Sequence, residues 1–326
     1  AQQAFGEVSG AIGTAIAGIR YGRQEFTDGP PLLVTQKDNN TIRAVLDGTR
    51  AWAQLSNTRL DLFDFRQVRF GLNGLDDDVS DDGTRFSGAT VGIVLANDAT
   101  RKLFLDPFVW RERTDRRRWG SVTAREVRYY TGARMWGSID RLTIDWTVDH
   151  QGGSFDGRDV DAWNFFIAQT YALPNRGPKL GIHVDYGSGG SGGLDGTGEI
   201  GAARNMNGGA IPYSYQGALN IINLFQISPN LTISPLSGVN VTFEYQHSRR
   251  NDQEDAIYKG NATPYAGTQL VRGHHVGDGV KVQTGWSITK RLSFTSRYEY
   301  FAPGEVLTQL GYDGSHYLAG WLSFRI

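Results

Sequence analysis

The composition of this 326-residue chain excludes several classes of protein: 39% of its residues are hydrophobic, it has no Cys, and its net charge is −1. The lack of Cys excludes a disulfide framework and thiol-ligated metal sites, and the near-neutral charge gives no polybasic signal for nucleic acid. No run of 18 or more apolar residues occurs, so the chain could cross a bilayer only as a closed β-barrel.

Fifteen segments have the composition and the period of β-strands. In chain order they lie near residues 2–9, 14–26, 43–56, 58–70, 86–96, 101–111, 120–136, 139–149, 158–172, 178–187, 213–227, 238–249, 275–289, 291–302 and 315–326. Polar and apolar residues alternate most clearly in Arg141–Asp149, Lys179–Gly187, Val239–Ser248 and Arg291–Phe301. Runs of about nine to twelve residues can cross a bilayer at a tilt, whereas sandwich strands have about five or six. The sequence therefore predicts an all-β fold, a transmembrane antiparallel up-and-down β-barrel with about 15 visible strands.

Short and long connections alternate between these strands. The long polar connections are 27–42, 71–86, 112–119, 150–157, 188–213, 250–273 and 303–314. Outer-membrane barrels have short periplasmic turns and long outer loops, which is the same rhythm. The connections 188–213 and 250–273 are long and Gly-rich, and we regard them as the best candidates to fold into the lumen. Fifteen is an odd number, whereas bacterial single-chain barrels have an even number of strands. We therefore expect residues 1–326 to belong to a single barrel domain, with further N-terminal strands before Ala1.

Four motifs resemble, in order, motifs of the alginate export family. Tyr21–Phe26 followed by Leu46–Arg50 resembles its "GRQE … FDGVR" region, and Thr131–Gly137 is similar to its "GxRxxG" hairpin. Arg249–Tyr258 and Phe301–Leu307 resemble its "R-x-s-x-D-a-x-Y" and "F-x-x-G-x-x-L" segments. The resemblance implies an outer-membrane barrel with about 16–18 strands in the full protein, used for passive export or diffusion.

One connection departs from the family pattern. Gly29–Val34 stands where the family usually has "GDQRL", so a family role for this connection does not carry over. The resemblance also leaves the solute open, because the family is broad and its members serve different polymers or small solutes.

The polar faces of the predicted strands carry both signs of charge. Six of the 33 basic residues are Lys, which leaves 27 Arg. A pore wall would favour Arg, and a GC-rich genome, which enriches Arg over Lys throughout, would have the same effect. The predicted channel-lining residues are Arg59, Arg66, Arg128, Arg134, Arg141, Asp145, Lys179, Asp185, Glu244, Lys281, Arg297 and Glu299. Rings of Arg would favour anions such as uronates. The alternative is that these residues form cross-strand ion pairs that stabilise the barrel wall.

No catalytic residue and no cofactor is predicted, since none of the six His has the spacing of a zinc protease motif. Three acidic residues of the 71–86 connection, Asp76, Asp78 and Asp81, are weak candidate ligands for Ca²⁺. Their spacing fits no EF-hand, and the alternative is a solvated outer loop.

We therefore predict a channel in the outer membrane of a Gram-negative bacterium, not an enzyme. It would pass an anionic polysaccharide or oligosaccharide passively. Its expected partners are membrane lipid, lipopolysaccharide and periplasmic export proteins, with the barrel itself a monomer. The alternatives are a general porin for small organic solutes, an outer-membrane β-barrel enzyme, and a soluble β-sandwich or lectin.

Overall fold

The protein is built almost entirely of antiparallel strands. The computed structural model describes residues 3–27, 29–34, 43–71, 78–175, 177–206 and 211–325. The strands are Ala4–Ile12 (β1), Ala15–Gln24 (β2), Leu46–Gln54 (β3), Thr58–Arg69 (β4), Val79–Asn97 (β5), Arg101–Trp119 (β6), Val122–Ile139 (β7), Leu142–Phe155 (β8), Arg158–Ala172 (β9), Lys179–Gly187 (β10), Leu224–Leu236 (β11), Val239–Arg250 (β12), His275–Ser287 (β13), Leu292–Pro303 (β14) and Ser315–Phe324 (β15).

The few helical segments lie in the connections. Two four-residue helices are Gly192–Asp195 (α1) and Glu305–Thr308 (α2), and a 3-10 turn covers Thr268–Leu270. Among the described residues, no helix has the length and apolar character needed to span a membrane.

All 15 strands belong to one sheet, in the order in which they occur in the chain. Consecutive strands pair antiparallel, as in Ala4↔Arg23 of β1 and β2 and Leu292↔Phe324 of β14 and β15. The predicted all-β, up-and-down arrangement with about 15 visible strands is thereby confirmed.

The contacts of the chain divide it into two compact units. Unit 1 comprises Ala1–Gly137, Thr147–Trp163 and Gly192–Gly209. Unit 2 comprises Ser138–Trp146, Asn164–Ser191 and Ala210–Ile326.

In both units, strands such as β4 and β12 have one exposed apolar face and one covered face. In unit 1, Leu60 and Leu62 of β4 are exposed, while the alternate residues Asp61 and Phe63 are buried. In unit 2, Phe243 and Tyr245 of β12 are exposed, while Gln246, the residue after Tyr245, is buried. This is the reverse of a soluble sheet and is typical of a lipid-facing barrel wall. We call the exposed apolar face the outer face and the opposite one the inner face.

Several predicted long connections are wrong. Residues 112–119 and 150–157 belong mostly to strands, and β6–β7 and β8–β9 are joined by the two-residue turns 120–121 and 156–157. β5 begins at Val79, inside the predicted connection 71–86. Beyond the apolar band neither face needs apolar residues, so these strands continue without the alternation that would reveal them.

Other connections are longer than predicted and fold onto the inner face. β11 begins only at Leu224, so the connection after β10 covers residues 188–223. Its residues Ile200, Ala202 and Ala203 are fully buried in unit 1, and Ile221 is fully buried in unit 2.

The apolar core of unit 1 also lies on the inner face. Phe26, from the connection after β2, packs edge-on against Phe86 and Trp110 with ring centroids 5.2 and 6.0 Å away. Its ring is 4.7 Å from that of Phe63. The connection continues to buried Leu33, whose carbonyl accepts a hydrogen bond of 3.1 Å from the Met206 N–H.

Candidate functional site

A pocket of about 400 Å³ lies on the inner face of unit 1. It is lined by Thr27, Gly29, Gln54, Asn57, Arg59, Asp61, Thr90, Gly92, Ile93, Val94, Phe104, Asp106, Arg134 and Trp136. Two residues predicted from separate strands to line a channel, Arg59 of β4 and Arg134 of β7, meet in this pocket.

Hydrogen bonds and aromatic rings orient both guanidinium groups. Arg59 donates from Nε and Nη2 to the two carboxylate oxygens of Asp61, at 2.6 and 3.0 Å, and lies over the ring of Trp52. Arg134 donates to the Gly29 carbonyl at 3.3 Å and lies 5.2 Å from the ring centroid of Trp136. Such fixed forks recognise carboxylates bidentately.

The pocket combines positive charge with flat apolar surface. Asp61 also accepts a hydrogen bond of 2.8 Å from Arg50. The lining itself therefore holds two guanidinium groups, of Arg59 and Arg134, and two carboxylates, of Asp61 and Asp106. The rings of Phe104 and Trp136 stack at 4.5 Å. The arrangement can bind an anionic group and stack a sugar or aromatic ring.

A second polar cluster of unit 1 binds the connection after β10. Arg204 of that connection is buried between Glu112 of β6 and Glu126 of β7, and its Nη2 donates to both carboxylates. Arg128, another predicted channel-lining residue, donates to Glu126 at 2.8 Å and to the Ala202 carbonyl at 3.0 Å. Arg117 completes the cluster, 3.2 Å from Glu126. Each of the two buried carboxylates thus has more than one guanidinium partner, as buried charges need.

Gln151 of β8 holds the backbone of the same segment. Its amide donates to the Arg204 carbonyl and its carbonyl accepts from the Arg204 N–H, both at 3.0 Å. The same Gln151 oxygen accepts from Arg128 at 2.6 Å. Residues 202–204 are thus fixed on the inner face by hydrogen bonds to their backbone.

In unit 2, Lys281 of β13 binds a different part of this connection. Its ammonium group is almost fully buried and donates to the carbonyls of Ile211 and Pro212 at 3.2 and 2.6 Å. Glu244 of β12 lies 3.4 Å from it, and Gln246 bridges Glu244 and Pro212 at 2.8 and 2.6 Å.

Glu299 of β14 binds the residues that follow. Its carboxylate accepts hydrogen bonds from the Ser214 hydroxyl at 2.8 Å, from the Gln216 N–H at 3.1 Å and from the Tyr215 N–H. Arg297 and Lys281 both lie over the Tyr215 ring, at 5.0 and 4.9 Å from its centroid. Burial raises the pKa of Tyr215 to about 12, so its hydroxyl stays protonated.

The remaining predicted residues on strands of unit 2 are less closely connected to the 188–223 connection. Asp185 of β10 is buried, with the His183 ring nitrogen Nδ1 3.9 Å from its carboxylate. Asp145 of β8 is half-buried, and Lys179 is exposed at the first residue of β10.

Two predicted channel-lining residues are not on the inner wall. Arg141 is exposed in the turn between β7 and β8. Arg66 lies on the outer face of β4, like Leu60 and Leu62, because successive side chains of a strand point to opposite faces. Arg59 is an odd number of positions away and therefore lies on the inner face. The prediction that Arg59 and Arg66 line one surface is therefore wrong.

Arg66 belongs instead to a row of cations on the outer face. It pairs across the sheet with Arg85, which pairs in turn with Arg113 of β6. Each has an acidic neighbour: Asp82 lies 3.1 Å from Arg66, Asp64 binds Arg85, and Asp115 lies 2.9 Å from Arg113. The row therefore places three guanidinium groups side by side on the outer face, each with one carboxylate partner.

The three candidate Ca²⁺ ligands have different surroundings. Asp76 lies outside the described residues. Asp78 is 3.1 Å from Arg23 Nη1, and Asp81 accepts hydrogen bonds from the Gly83 N–H and the Thr84 hydroxyl at 3.0 and 3.3 Å. The Ca²⁺ site stays a prediction.

Three residues that contact predicted channel-lining residues or their partners, Glu126, Arg204 and Tyr215, were not predicted from the sequence. Glu126 and Arg128 are two apart on β7, so alternation could have placed Glu126 on the same face. Arg204 and Tyr215 have no periodic signal, because they lie in an irregular connection whose path the sequence pattern does not reveal.

Comparison with known proteins identifies the family of this chain and solved structures with a similar fold. The profile of a family described as "Alginate export" matches residues 1–320. No curated protein sequence matches the chain significantly.

Three solved structures illustrate the likeness in fold. OccK11 (OpdR) of Pseudomonas aeruginosa is 11% identical with a TM-score of 0.57, and the match covers 96% of this chain and 79% of that one. OccAB1 of Acinetobacter baumannii is 13% identical with a TM-score of 0.59, covering 94% and 73%. The outer membrane protein OprD of Pseudomonas aeruginosa is 10% identical with a TM-score of 0.54, covering 94% and 75%.

Proposed function

The chain belongs to the alginate export family, and we propose on this basis that it passes an anionic oligosaccharide or polysaccharide passively across the outer membrane of a Gram-negative bacterium. Its family and its fold are those of outer-membrane channels and porins. In this proposal the inner face of the sheet lines the channel.

The observation that carries the proposal is the convergence of Arg59 and Arg134 on one pocket beside Trp136. A uronate has a carboxylate on a sugar ring, and this pocket offers guanidinium groups for the carboxylate and an indole face for the ring. The two guanidinium groups would attract such an anion to the inner face.

The connection between β10 and β11 supports a narrow passage. In each unit, charged side chains of the inner face hold part of this connection by hydrogen bonds to its backbone: Arg128 in unit 1, and Lys281 and Glu299 in unit 2. Arg128, Lys281 and Glu299 would therefore set the width of the passage. Arg59 and Arg134 would contact the solute.

The alternative is a porin for small organic solutes. It is favoured by the volume of the pocket, about 400 Å³, which accommodates a molecule of one or two rings. An enzymatic function lacks a comparable supporting feature, since the family and the fold are those of channels.

The partners proposed from the sequence are lipid, lipopolysaccharide and periplasmic export proteins, with the barrel acting as a monomer. The cation row of Arg66, Arg85 and Arg113 supports lipopolysaccharide as one of them. It lies on the outer face near the exposed apolar Leu62 and Val109, where the phosphates of an outer-leaflet lipid would meet the protein, and arginine forks suit phosphate.

The proposal is tested by single-channel conductance of the refolded protein in a planar bilayer. Oligouronates and neutral oligosaccharides of equal length would be added in turn. We expect an anion-selective current that oligouronates block at concentrations at which neutral sugars do not. Block by small aromatic carboxylates but not by oligouronates would favour the small-solute porin, and a current indifferent to all of them would contradict both.

A further inference from the structure

Three potential metal ligands meet on the outer face of unit 2. His247 of β12 and His275 and Asp278 of β13 place one ligand atom each within 4.8 Å of the others. The His247 Nδ1 is 2.8 Å from Asp278 Oδ1, and the His275 Nε2 is 3.0 Å from Asp278 Oδ2. The two imidazole rings stack with centroids 5.0 Å apart. The Tyr245 hydroxyl donates to Asp278 at 2.7 Å.

A local irregularity in the sheet creates this cluster. The register of β12 and β13 shifts between Ser248, which pairs with Gly277, and Arg249, which pairs with His275. Val276 is the extra residue and is fully buried. In a regular strand His275 would share the inner face with Gly277 and Lys281, because alternate residues point the same way. The bulge turns it to the face of His247 and Asp278, as bulges near functional sites often do.

We propose that His247, His275 and Asp278 bind a divalent transition-metal ion of the Zn²⁺ type. Two imidazoles and one carboxylate favour Zn²⁺, Cu²⁺ or Ni²⁺ over the hard ions Ca²⁺ and Mg²⁺, which prefer oxygen ligands. This site is separate from the 71–86 connection and from the pocket of the proposed channel.

The two His–Asp distances are close to those of a metal site, although they involve different oxygens of Asp278. A tetrahedral Zn²⁺ with bonds of about 2.0–2.1 Å holds its ligand atoms roughly 3.4 Å apart. The His–Asp distances of 2.8 and 3.0 Å would need to widen by about half an ångström, and any separation that approaches the 4.8 Å limit of the cluster would need to shorten as the side chains close on the ion. The Tyr245 hydroxyl would orient the carboxylate, as partners behind metal ligands commonly do.

The position of the cluster makes it accessible. His247 follows Phe243 and Tyr245 on the outer face of β12, toward the end that leads into the 251–274 connection. His247 and His275 retain side-chain exposures of 40% and 36%. An ion bound there would join β12 to β13 at the point where their ladder is interrupted, and would keep a fourth position open for water or another ligand.

The test is a Zn²⁺ titration of the full-length refolded protein, without a polyhistidine tag, against a chromophoric competitor. We expect one tight equivalent, with affinity lowered more than about tenfold in His247→Gln and in His275→Gln. His150→Gln is the matched control, because His150 is an outer-face histidine whose Nε2 contacts a single carboxylate, Asp161, at 2.7 Å. It should bind Zn²⁺ like the wild type.

A second readout separates binding from misfolding. Heat-modifiable gel mobility shows that each variant forms the barrel, and electron paramagnetic resonance of bound Cu²⁺ should show two nitrogen ligands in the wild type and one in either variant. Absence of stoichiometric binding in the folded wild type, or equal affinity in the wild type and folded His275→Gln, would overturn the proposal. Equal losses in His150→Gln would do the same.

Discussion

Arg204 and Glu126 form a buried ion pair across 78 residues of sequence, with Arg204 Nη2 3.1 Å from Glu126 Oε2. Glu126 belongs to the wall strand β7, and Arg204 to the connection after β10. The exposed fractions of the two side chains are 4% and 1%. The pair is therefore shielded from water, and its strength is not reduced by screening as that of a surface pair would be.

Arg204→Ala should lower the stability of unit 1. The substitution leaves Glu112 and Glu126 without one of their cations, and removal of one partner from a buried pair typically costs about 3–5 kcal/mol. We expect a lower midpoint in denaturant unfolding. Arg116→Ala, at an exposed position of β6, is the control. Equal midpoints for the wild type and Arg204→Ala would contradict the structure.

Arg59→Ala and Arg134→Ala should weaken block by oligouronates. Loss of one charge-assisted hydrogen bond is worth about 1.5–3 kcal/mol, roughly tenfold or more in affinity. The measurement is the concentration for half-block in single-channel recordings. Arg141→Ala removes the same charge from the exposed turn and should leave block unchanged. Equal effects of all three substitutions would mean that only the net charge matters.

Gly153→Ala should impair folding, because the site has no room for a side chain. Gly153 has a φ of 129°, and a Cβ there would lie 2.1 Å from the Val127 carbonyl oxygen. Such strained backbone costs about 1–3 kcal/mol before the clash is counted. We expect a reduced yield of the heat-modifiable folded form. Gly10→Ala, whose Cβ would meet nothing within 4 Å, should fold with normal yield.

The packing of the 251–274 connection should depend on pH through Asp255. This residue is fully buried and accepts hydrogen bonds from the N–H groups of Gly190 and Ala256, at 3.0 and 2.7 Å, and from the Tyr258 hydroxyl at 2.8 Å. Burial raises the pKa of Asp255 to about 7, and the hydrogen bonds only partly oppose this effect. Asp255 in an opened connection would have its ordinary value of 3.8.

The folded connection therefore retains a proton that the opened one releases. Opening should be least favourable below pH 4 and should become easier by up to about tenfold per pH unit between pH 4 and 7. Hydrogen exchange of residues 251–274, corrected for intrinsic rates, measures this directly. Asp255→Asn should abolish the dependence. Exchange that slows as pH rises would show that the sign is wrong.

Replacing Arg66, Arg85 and Arg113 together by Gln should reduce lipopolysaccharide retention. The substitutions remove ion pairs with Asp82, Asp64 and Asp115, but these pairs are at least partly exposed and contribute little, and the repulsion between the three cations disappears, so stability should change little. Phosphate per barrel, measured after gentle extraction, gives the amount of retained lipid. Arg101→Gln, at the first residue of β6, is the control. Unchanged retention in the triple variant would show that the three arginines do not bind lipopolysaccharide.

The strands could be predicted where one face meets lipid. In Val239–Ser248, alternation of apolar and polar residues placed β12 with an error of a few residues. The same signal fails for β5 and β6, which have 19 residues each. Their outer ends lie beyond the apolar band, where residues such as Asp82 and Arg116 need no alternation.

The candidate site could be predicted only in part. Alternation placed Arg59 and Arg134 on polar faces, but their convergence depends on register across β4 to β7, which a single sequence does not give. Arg66 shows the limit most clearly, since a polar residue of a strand that leaves the membrane can occupy the outer face. The partners in the 188–223 connection could not be predicted, because Arg204 and Tyr215 take their places through long-range contacts.

Gln151 recognises the main chain of residue 204 rather than its side chain. Its two hydrogen bonds to the Arg204 N–H and carbonyl, both of 3.0 Å, are available to any residue except proline at that position. The course of the backbone at this point therefore does not rest on the buried ion pairs of the Arg204 side chain alone. A variant such as Arg204→Ala should lose the ion pairs and part of the stability, while Gln151 still anchors the main chain of the connection at its place on β8.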